Sequence, residues 1–304
     1  MLKKVVKWFV LSPLRIGHKV LNILSLFNEH IRGVGADLQI SYLNSLTQRV
    51  THVMDSGTEV SLVLHTPNSM CLYRAKTFSS KEPETLSWIE EFGKDQAVLF
   101  DIGSNIGLYS IFHAQVNKGS CVAFEPSFFN LKILLQNINL NNCHNLVTVV
   151  PNPLSNKVEF NDFNYGSTVE GGALSAFAVD FGHDGELMRS DASLEVLGMS
   201  LDWMLSQGLL KKHPNLVKID VDGIEHLILE GARKVLMNEQ CRTVLVEVNN
   251  GFIKQASRVH TLLSEYGFVL REKLRSDILR DHESFSETYN QIWVKDLCGK
   301  QEDK

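Results

Sequence analysis

AVLFDIGSNIGLYSIFHA, residues 97–114, is an apolar run that breaks at a glycine-rich turn and resumes with helical spacing. Ala97–Gly103 has the length and near-continuous hydrophobicity of a strand buried on both faces, and a helix is predicted from Ile106 to Val116. The same alternation continues outward. Ser120–Glu125 and Leu146–Val150 read as strands flanking a helix from Phe128 to Leu140. Leu216–Asp222 and Thr243–Asn249 read as two more, with a helix through Leu227–Leu236 between them. Phe268–Leu274 and Gln291–Lys295 are expected to close the sheet, antiparallel at one edge. The predicted fold class is α/β: a Rossmann-like, mostly parallel sheet with helices on both faces and right-handed crossovers.

Three segments organise the chain on this reading. Residues 96–298 form the α/β domain, with a long insertion at about 156–215. Within it Leu201–Ser206 is a short helix capped by Ser200, and the rest is a substrate-facing crossover, since long loops in compact domains are usually functional. Residues 51–95 are a β-hairpin and helix lead-in. Glu59–Leu64 and Cys71–Phe78 are its strands, and Thr66-Pro67-Asn68 is its turn. The helix starts at Pro83, presents Leu86, Trp88, Ile89 and Phe92, and ends at Gly93. Residues 1–50 are an amphipathic helical segment, with Ile16, Val20, Ile23, Leu24 and Phe27 on one face. Its first reading is a helix packed on its own protein. The second is peripheral contact with an anionic membrane through Lys3, Lys4, Lys7, Arg15 and Lys19.

The 304 residues are 44% hydrophobic and carry a net charge of −5, which argues against general nucleic-acid binding, since a basic surface is needed to displace counterions from phosphates. The five cysteines are scattered without a C-x-x-C pair, so neither a zinc cage nor a disulfide framework is expected, and a cytoplasmic protein with reduced thiols is the simplest reading.

Four strand ends carry a carboxylate: Asp101, Glu125, Asp220 and Glu247. Open α/β sheets bind ligands outside the carboxyl ends of their strands, where strand order reverses. Charges gathered at a half-buried edge cost free energy unless they bind something. The turn Asp101-Ile102-Gly103-Ser104-Asn105-Ile106-Gly107 departs from the dinucleotide pattern G-x-G-x-x-G, with Asn105 and Leu108 at the second and third glycine positions. Glu125 stands 22 positions beyond Gly103, at the end of the next strand, where a carboxylate can accept both hydroxyls of a ribose. S-Adenosylmethionine carries such a diol without phosphates, and its sulfonium and amino group suit an acidic rim.

These residues resemble the FkbM-type methyltransferase family. The resemblance rests on VLFDIGSNIGLYSIFHA (98–114), VAFEPSFFNLKILLQNINLN (122–141), LVKIDVDGIEHLILEGA (216–232) and VLVEVN (244–249), preceded by KEPETLSWIEEFG (81–93). It spans roughly residues 78–250. It implies a class I, S-adenosylmethionine-dependent O-methyltransferase acting on sugar or polyketide-type hydroxyls. A carbohydrate-like acceptor, the sugar of a surface polysaccharide or glycolipid, is the leading expectation. A non-catalytic S-adenosylmethionine-binding scaffold and an NAD-dependent oxidoreductase follow. By the same resemblance Asp101, Gly103, Ser104, Asn105 and Gly107 form the cofactor loop and Glu125 holds the ribose. Ser104 replaces the usual Ala, and Asp222 shortens the family's more common D-V-E-G by one methylene, roughly one bond length.

Methyl transfer to an alcohol needs alignment and a proton acceptor. The catalytic candidates are Asp220, Asp222, Glu225 and Glu247. Lys218, Asp220 and Asp222 share one face by the period of two, which makes Lys218 an ion-pair partner. Glu225 has a second reading, as a charge favouring a helix N-terminus. His226 reads as a satisfied histidine, and Trp88, Trp203 and Trp293 as core. No metal is expected, although Glu247 with Asn249 near Asp220 offers oxygen ligands. Oligomeric state is not legible.

Overall fold

Strand order in the main sheet places the reversal between β3 (Leu99–Ile102) and β9 (Leu216–Ile219). The chain runs outward from β3 to β4 (Cys121–Phe124) and β5 (Val147–Val150). It then returns to the other side of β3 as β9 and continues to β10 (Thr243–Asn249). All pairings among these five strands are parallel. β12 (Thr288–Lys295) pairs antiparallel with β10, and β11 (Phe268–Leu274) pairs antiparallel with β12 at the edge. The seven-stranded sheet and its helices thus form an α/β fold, five parallel strands with an antiparallel pair at one edge. The chain is seen here as a computed structural model that describes residues 44–275 and 286–296, together with residues 17, 19, 37 and 40–42. The face proposed for the first helical segment (Ile16 to Phe27) lies outside the described residues. Contacts divide the chain into Met1–Thr47 and Gln48–Lys304. Among the described residues no helix is long and apolar enough to cross a membrane.

The lead-in differs from its sequence reading. The paired strands are β1 (Thr47–Val53) and β2 (Glu59–His65), while the expected strand at 71–78 is helix α1 (Ser69–Lys76). Asn68 caps it, its Oδ1 accepting from the Cys71 N–H at 2.9 Å, and Cys71 and Ala75 face inward. Helix α2 (Pro83–Phe92) has Pro at its start and Gly93 at its end, as expected. Leu62 and Leu64 of β2, with Trp88 and Ile89 of α2, pack into the core on one face of the sheet. Helix α3 (Leu108–Asn117) and helix α4 (Phe128–Leu140) share that face. Asn141 holds both the N–H and the carbonyl of Val63, and Asn137 joins the His65 N–H to the Ile106 carbonyl. One helix therefore ties the lead-in to the turn after β3.

The insertion is more structured than a loop. β6 (Glu159–Tyr165) pairs antiparallel with β7 (Ala176–Phe177) and β8 (Ala192–Gly198) as a separate three-stranded sheet. Helix α5 (Leu201–Ser206) follows, with the Ser200 hydroxyl accepting from Trp203 N–H. Phe163, Tyr165 and Phe177 turn into the core beneath the sheet's carboxyl edge. Between β9 and β10 the expected single helix is two short ones, α6 (Glu225–Glu230) and α7 (Arg233–Met237), and α8 (Ile253–Glu265) follows β10.

Candidate functional site

Three cavities open along the carboxyl edge of the sheet, and Gly103, Asn105 and Asp220 line all of them. The first, of about 590 Å³, runs from Glu125 and Pro126 to Leu154, Phe163, Phe177 and Ile224. The second, of about 470 Å³, is walled by Arg74, Lys81, Glu82, Ser104, Tyr109 and Lys218. The third, of about 1590 Å³, faces Ser69, Tyr73, Ser167, Asp222 and Glu247, with Arg74 and Lys81 at the border with the second.

The turn after β3 makes this convergence possible. Gly103 and Gly107 take φ of 83° and 87°, and Asn105 takes 50°, a left-handed value that Asn tolerates better than most residues. The N–H groups of Gly103 and Ser104 bond the Phe124 carbonyl at 3.0 and 3.1 Å. Asn105 N–H donates to Glu125 Oε2 at 2.7 Å, and Asn105 Nδ2 donates to the Gly172 carbonyl at 2.7 Å. The turn is thereby clamped between the end of β4 and the insertion.

Glu125 is buried, yet it lines the first cavity. Its other oxygen accepts from the Ser127 N–H at 2.9 Å. Burial pushes its carboxyl up to about 7, against the lowering effect of the Ser127 and Asn105 N–H groups.

Around Asp220 the charges interlock. Burial alone would raise Asp220, but Lys218, 2.7 Å from its Oδ2, and nearby Lys81 hold it below the usual carboxylate range. Lys218 is almost fully buried at 1% exposure, so its charge is available only to this cluster. Glu82, also buried, accepts from Lys81 Nζ at 2.5 Å and from the Tyr109 hydroxyl at 2.7 Å. Burial raises Glu247 well above the carboxylate range, and the Asp220 charge adds to the effect. Asp222, at φ 62°, accepts the Leu174 N–H at 2.6 Å, and burial followed by the Asp220 charge raises it.

Seven of the ten residues expected at the site line the cavities: Gly103, Ser104, Asn105, Glu125, Asp220, Asp222 and Glu247. Three do not. Asp101 sits beneath the turn, fully buried, with Oδ2 accepting from Ser110 Oγ at 2.6 Å. Gly107 has φ 87°, and a side chain there would collide with Leu134. Glu225 is buried behind the loop after β9, where it accepts from the N–H groups of Val221 and Gly223 and from Gln255 Nε2. Its carboxylate is directed at the backbone of the loop after β9 and at Gln255, and it lines none of the three cavities.

Arg74, Lys81, Glu82 and Tyr109 were not anticipated. A buried acid directly before Pro83, in the run KEPET, is the sequence signal for Glu82; nothing local marks the others. The metal reading changes too. Asn249 is engaged with the His183 carbonyl and the Gly251 N–H, and it is Glu82 that joins Asp220 and Glu247, one oxygen of each lying within 4.8 Å of the others. Lys81 and Lys218 already neutralise much of that charge.

Residues 101–270 match the methyltransferase FkbM domain, more than half of the chain. The hexuronic acid methyltransferase AglP of Haloferax volcanii is 27% identical over 185 residues, which cover 60% of this chain and 68% of AglP. Among solved structures, the FkbM methyltransferase of Methylobacillus flagellatus aligns with a TM-score of 0.43 at 15% identity, over 66% of this chain and 44% of that one. A precorrin-6y C5,15-methyltransferase of Geobacter metallireducens aligns with a TM-score of 0.41 at 15% identity, over 71% of this chain and 88% of that one. The match across the strands, turn and strand-end acids that build the three cavities establishes that this chain belongs to the FkbM methyltransferase family.

Proposed function

We propose that this chain is an S-adenosylmethionine-dependent O-methyltransferase whose acceptor is a hydroxyl of a carbohydrate-like molecule. The observation that carries this reading is the meeting of three cavities at Gly103, Asn105 and Asp220. The first suits an adenosine: Pro126, Leu154, Phe163, Phe177 and Ile224 offer apolar walls for a flat base, and Glu125 offers a carboxylate for a ribose diol. The buried Ser104 hydroxyl, which has no partner among the described residues, faces the second cavity and is a ready contact for a polar ligand. When bound, S-adenosylmethionine supplies an electrophilic methyl group on a sulfonium. The competing dinucleotide reading is disfavoured, because the N–H groups of residues 103–105 are already bonded to Phe124 and Glu125 and are not offered to a pyrophosphate.

The third cavity suits a polyhydroxylated acceptor. Ser69, Ser167 and Tyr73 bring hydroxyls, Tyr73 brings an aromatic face, and Asp222 and Glu247 bring carboxylates. The relative named for hexuronic acid methylation points to the same class. Holding the acceptor oxygen in line is the main contribution, and well-oriented reactions gain up to about 7–11 kcal/mol this way. Glu247 is the group placed to take the hydroxyl proton. It carries no side-chain hydrogen bond among the described residues, and its raised affinity for a proton favours acceptance. Asp220, held ionised by Lys218 and Lys81, is the weaker base and provides fixed negative charge beside the turn.

Radiolabelled methyl from S-adenosylmethionine, offered with a panel of neutral monosaccharides, uronic acids and cell-envelope glycans, tests the assignment. Label is expected in a sugar hydroxyl. Tight binding of S-adenosylhomocysteine with no transfer to any glycan would replace the enzyme reading with a scaffold, and binding of NAD instead would overturn it.

A further inference from the structure

Apolar side chains stand at the mouth of the third cavity. Met70, Tyr73 and Leu174 all line it, yet they are 40%, 42% and 38% exposed. Met70 and Tyr73 lie three residues apart on α1 and so share a helix face. Residues 166–174 fold against that helix, since a side chain on Gly171 would meet Cys71 and Met70 at 3.1 and 3.3 Å. Leu174 is held in place under strain. Its φ is 64°, a left-handed value that a bulky residue rarely adopts, and Asp222 Oδ2 fixes its N–H at 2.6 Å. Strain of this kind persists where the surroundings impose it, and it gathers at ligand sites. The polar side of the cavity lies deeper: Asp220, Asp222 and Glu247, from the sheet edge, are partly buried and adjoin the mouth at the Leu174–Asp222 bond. Arg74 belongs to both sides. It follows Met70 by four residues on α1, is partly buried, and its charge reaches Asp220 and Asp222. Its Nε donates to the Gly171 carbonyl at 2.6 Å, and its two terminal nitrogens carry no hydrogen bond among the described residues. Lys81, which also lines this cavity, is already paired with Glu82.

We propose that the acceptor is an amphiphile, a sugar joined through a phosphate to an alkyl or isoprenoid chain, with the sugar beside Asp222 and Glu247, the phosphate on Arg74, and the chain across Met70, Tyr73 and Leu174. The proposal rests on the reading of the third cavity as the acceptor site. A free sugar would cover Tyr73 at most and leave Met70 and Leu174 in water, where neither offers it a hydrogen bond. A chain attached to that sugar removes the same surface from water. The joint between the two is anionic because the open edge of a guanidinium, in a fork that matches phosphate oxygens, stands where polar lining gives way to apolar. A second copy of the chain seated on this mouth would cover the apolar residues too, but it would close the entrance that the acceptor needs. Both walls of the chain groove lie outside the strands and turn of the parallel core: Met70 and Tyr73 come from the lead-in, Leu174 from the insertion.

Calorimetry with three soluble probes, each kept below its micellar concentration, separates the parts of this ligand. Decyl glucosyl phosphate carries sugar, phosphate and chain, glucose 1-phosphate lacks the chain, and decyl glucoside lacks the phosphate. Glucose serves as a generic sugar, because the contrast lies in the other two parts. The unmodified protein is expected to bind the diester about tenfold tighter than either truncated probe. Met70→Ser and Leu174→Asn remove apolar surface at exposed positions, and Asn tolerates the left-handed backbone. Each should cut the diester's advantage over glucose 1-phosphate severalfold while glucose 1-phosphate binds as before, which also reports an intact fold. Arg74→Met should instead cut the diester's advantage over decyl glucoside. Equal affinity for the three probes, or no binding of any, overturns the proposal, as does an advantage that survives all three substitutions. A dimer of the unmodified protein that dissociates in Met70→Ser and Leu174→Asn, with probe binding unaltered, gives the mouth to a second copy and overturns it too. Failure of the methyltransferase reading shows elsewhere, as absence of transfer to every glycan of the radiolabelled panel.

Discussion

The carbonyl oxygen of Asp220 fills the space that a side chain on Gly103 would need, because the turn after β3 and the loop after β9 touch backbone to backbone at the sheet's switch point. Gly103 also has φ 83°, a conformation that L side chains rarely adopt. Gly103→Ala therefore forces the two loops apart. A loss of about 2–4 kcal/mol is expected from overpacking and left-handed strain together, read by chemical denaturation. Binding of S-adenosylhomocysteine should fall even where the variant remains folded, since all three cavities share this contact. A variant with unaltered stability and affinity would show that the loops separate freely.

Glu247→Gln tests the proton acceptor. The substitution keeps shape and removes basicity, so turnover should fall about 10²–10⁴-fold while S-adenosylhomocysteine affinity changes little. Because burial and Asp220 raise this carboxyl, turnover of the unmodified enzyme should climb with pH as Glu247 loses its proton. A pH–rate profile of the variant should lack that limb. An unchanged profile would transfer the role to another group.

Glu125 makes the cofactor interaction itself pH-dependent. Its carboxyl, raised to about 7 by burial, is largely protonated at pH 6 and largely ionised at pH 8. Ribose hydroxyls donate best to the ionised form, so affinity for S-adenosylhomocysteine should rise over this interval and level off above it. Glu125→Gln should bind about tenfold more weakly at pH 8 and show a flatter curve. Calorimetry at four pH values suffices, and a curve unaltered by the substitution would place the ribose elsewhere.

The parallel core was legible because its strands are short apolar runs, and Phe128–Leu140 because a helix-length run separates two of them. Cys71–Phe78 was misread although Cys71, Ala75 and Phe78 follow helical spacing and Asn68 stands at the capping position. The interspersed Leu72, Tyr73 and Arg74 gave it the look of an amphipathic strand. The insertion's sheet was hidden for another reason: Phe160 is exposed while Phe163 and Tyr165 are buried, so the apolar pattern of β6 does not mark one face. At the site, the strand-end rule located Glu125, Asp220 and Glu247 but also named Asp101, whose side chain points into the core. Lys81 and Glu82 escaped it altogether. They reach Asp220 only because β2 and α2 pack on the sheet, a long-range consequence with no local spacing behind it.

Glu225 gives a stability prediction with a definite sign. Burial raises its carboxyl to about 7, above the ordinary value of 4.5, and the N–H groups of Val221 and Gly223 with Gln255 offset only part of the desolvation. The folded chain therefore holds this proton more tightly than the unfolded chain. The associated stabilisation is fully present below pH 4.5 and is lost as pH rises through about 7. Other raised carboxyls, Glu125 among them, titrate in the same direction, so the informative quantity is the difference between the unmodified chain and Glu225→Gln. Gln cannot ionise, and it keeps an acceptor for the loop. Relative to the variant, the unmodified chain should lose on the order of 2–3 kcal/mol between pH 5 and pH 8, measured by urea denaturation. A difference that stays constant across this range would mean that Glu225 remains ionised throughout, compensated by its three donors.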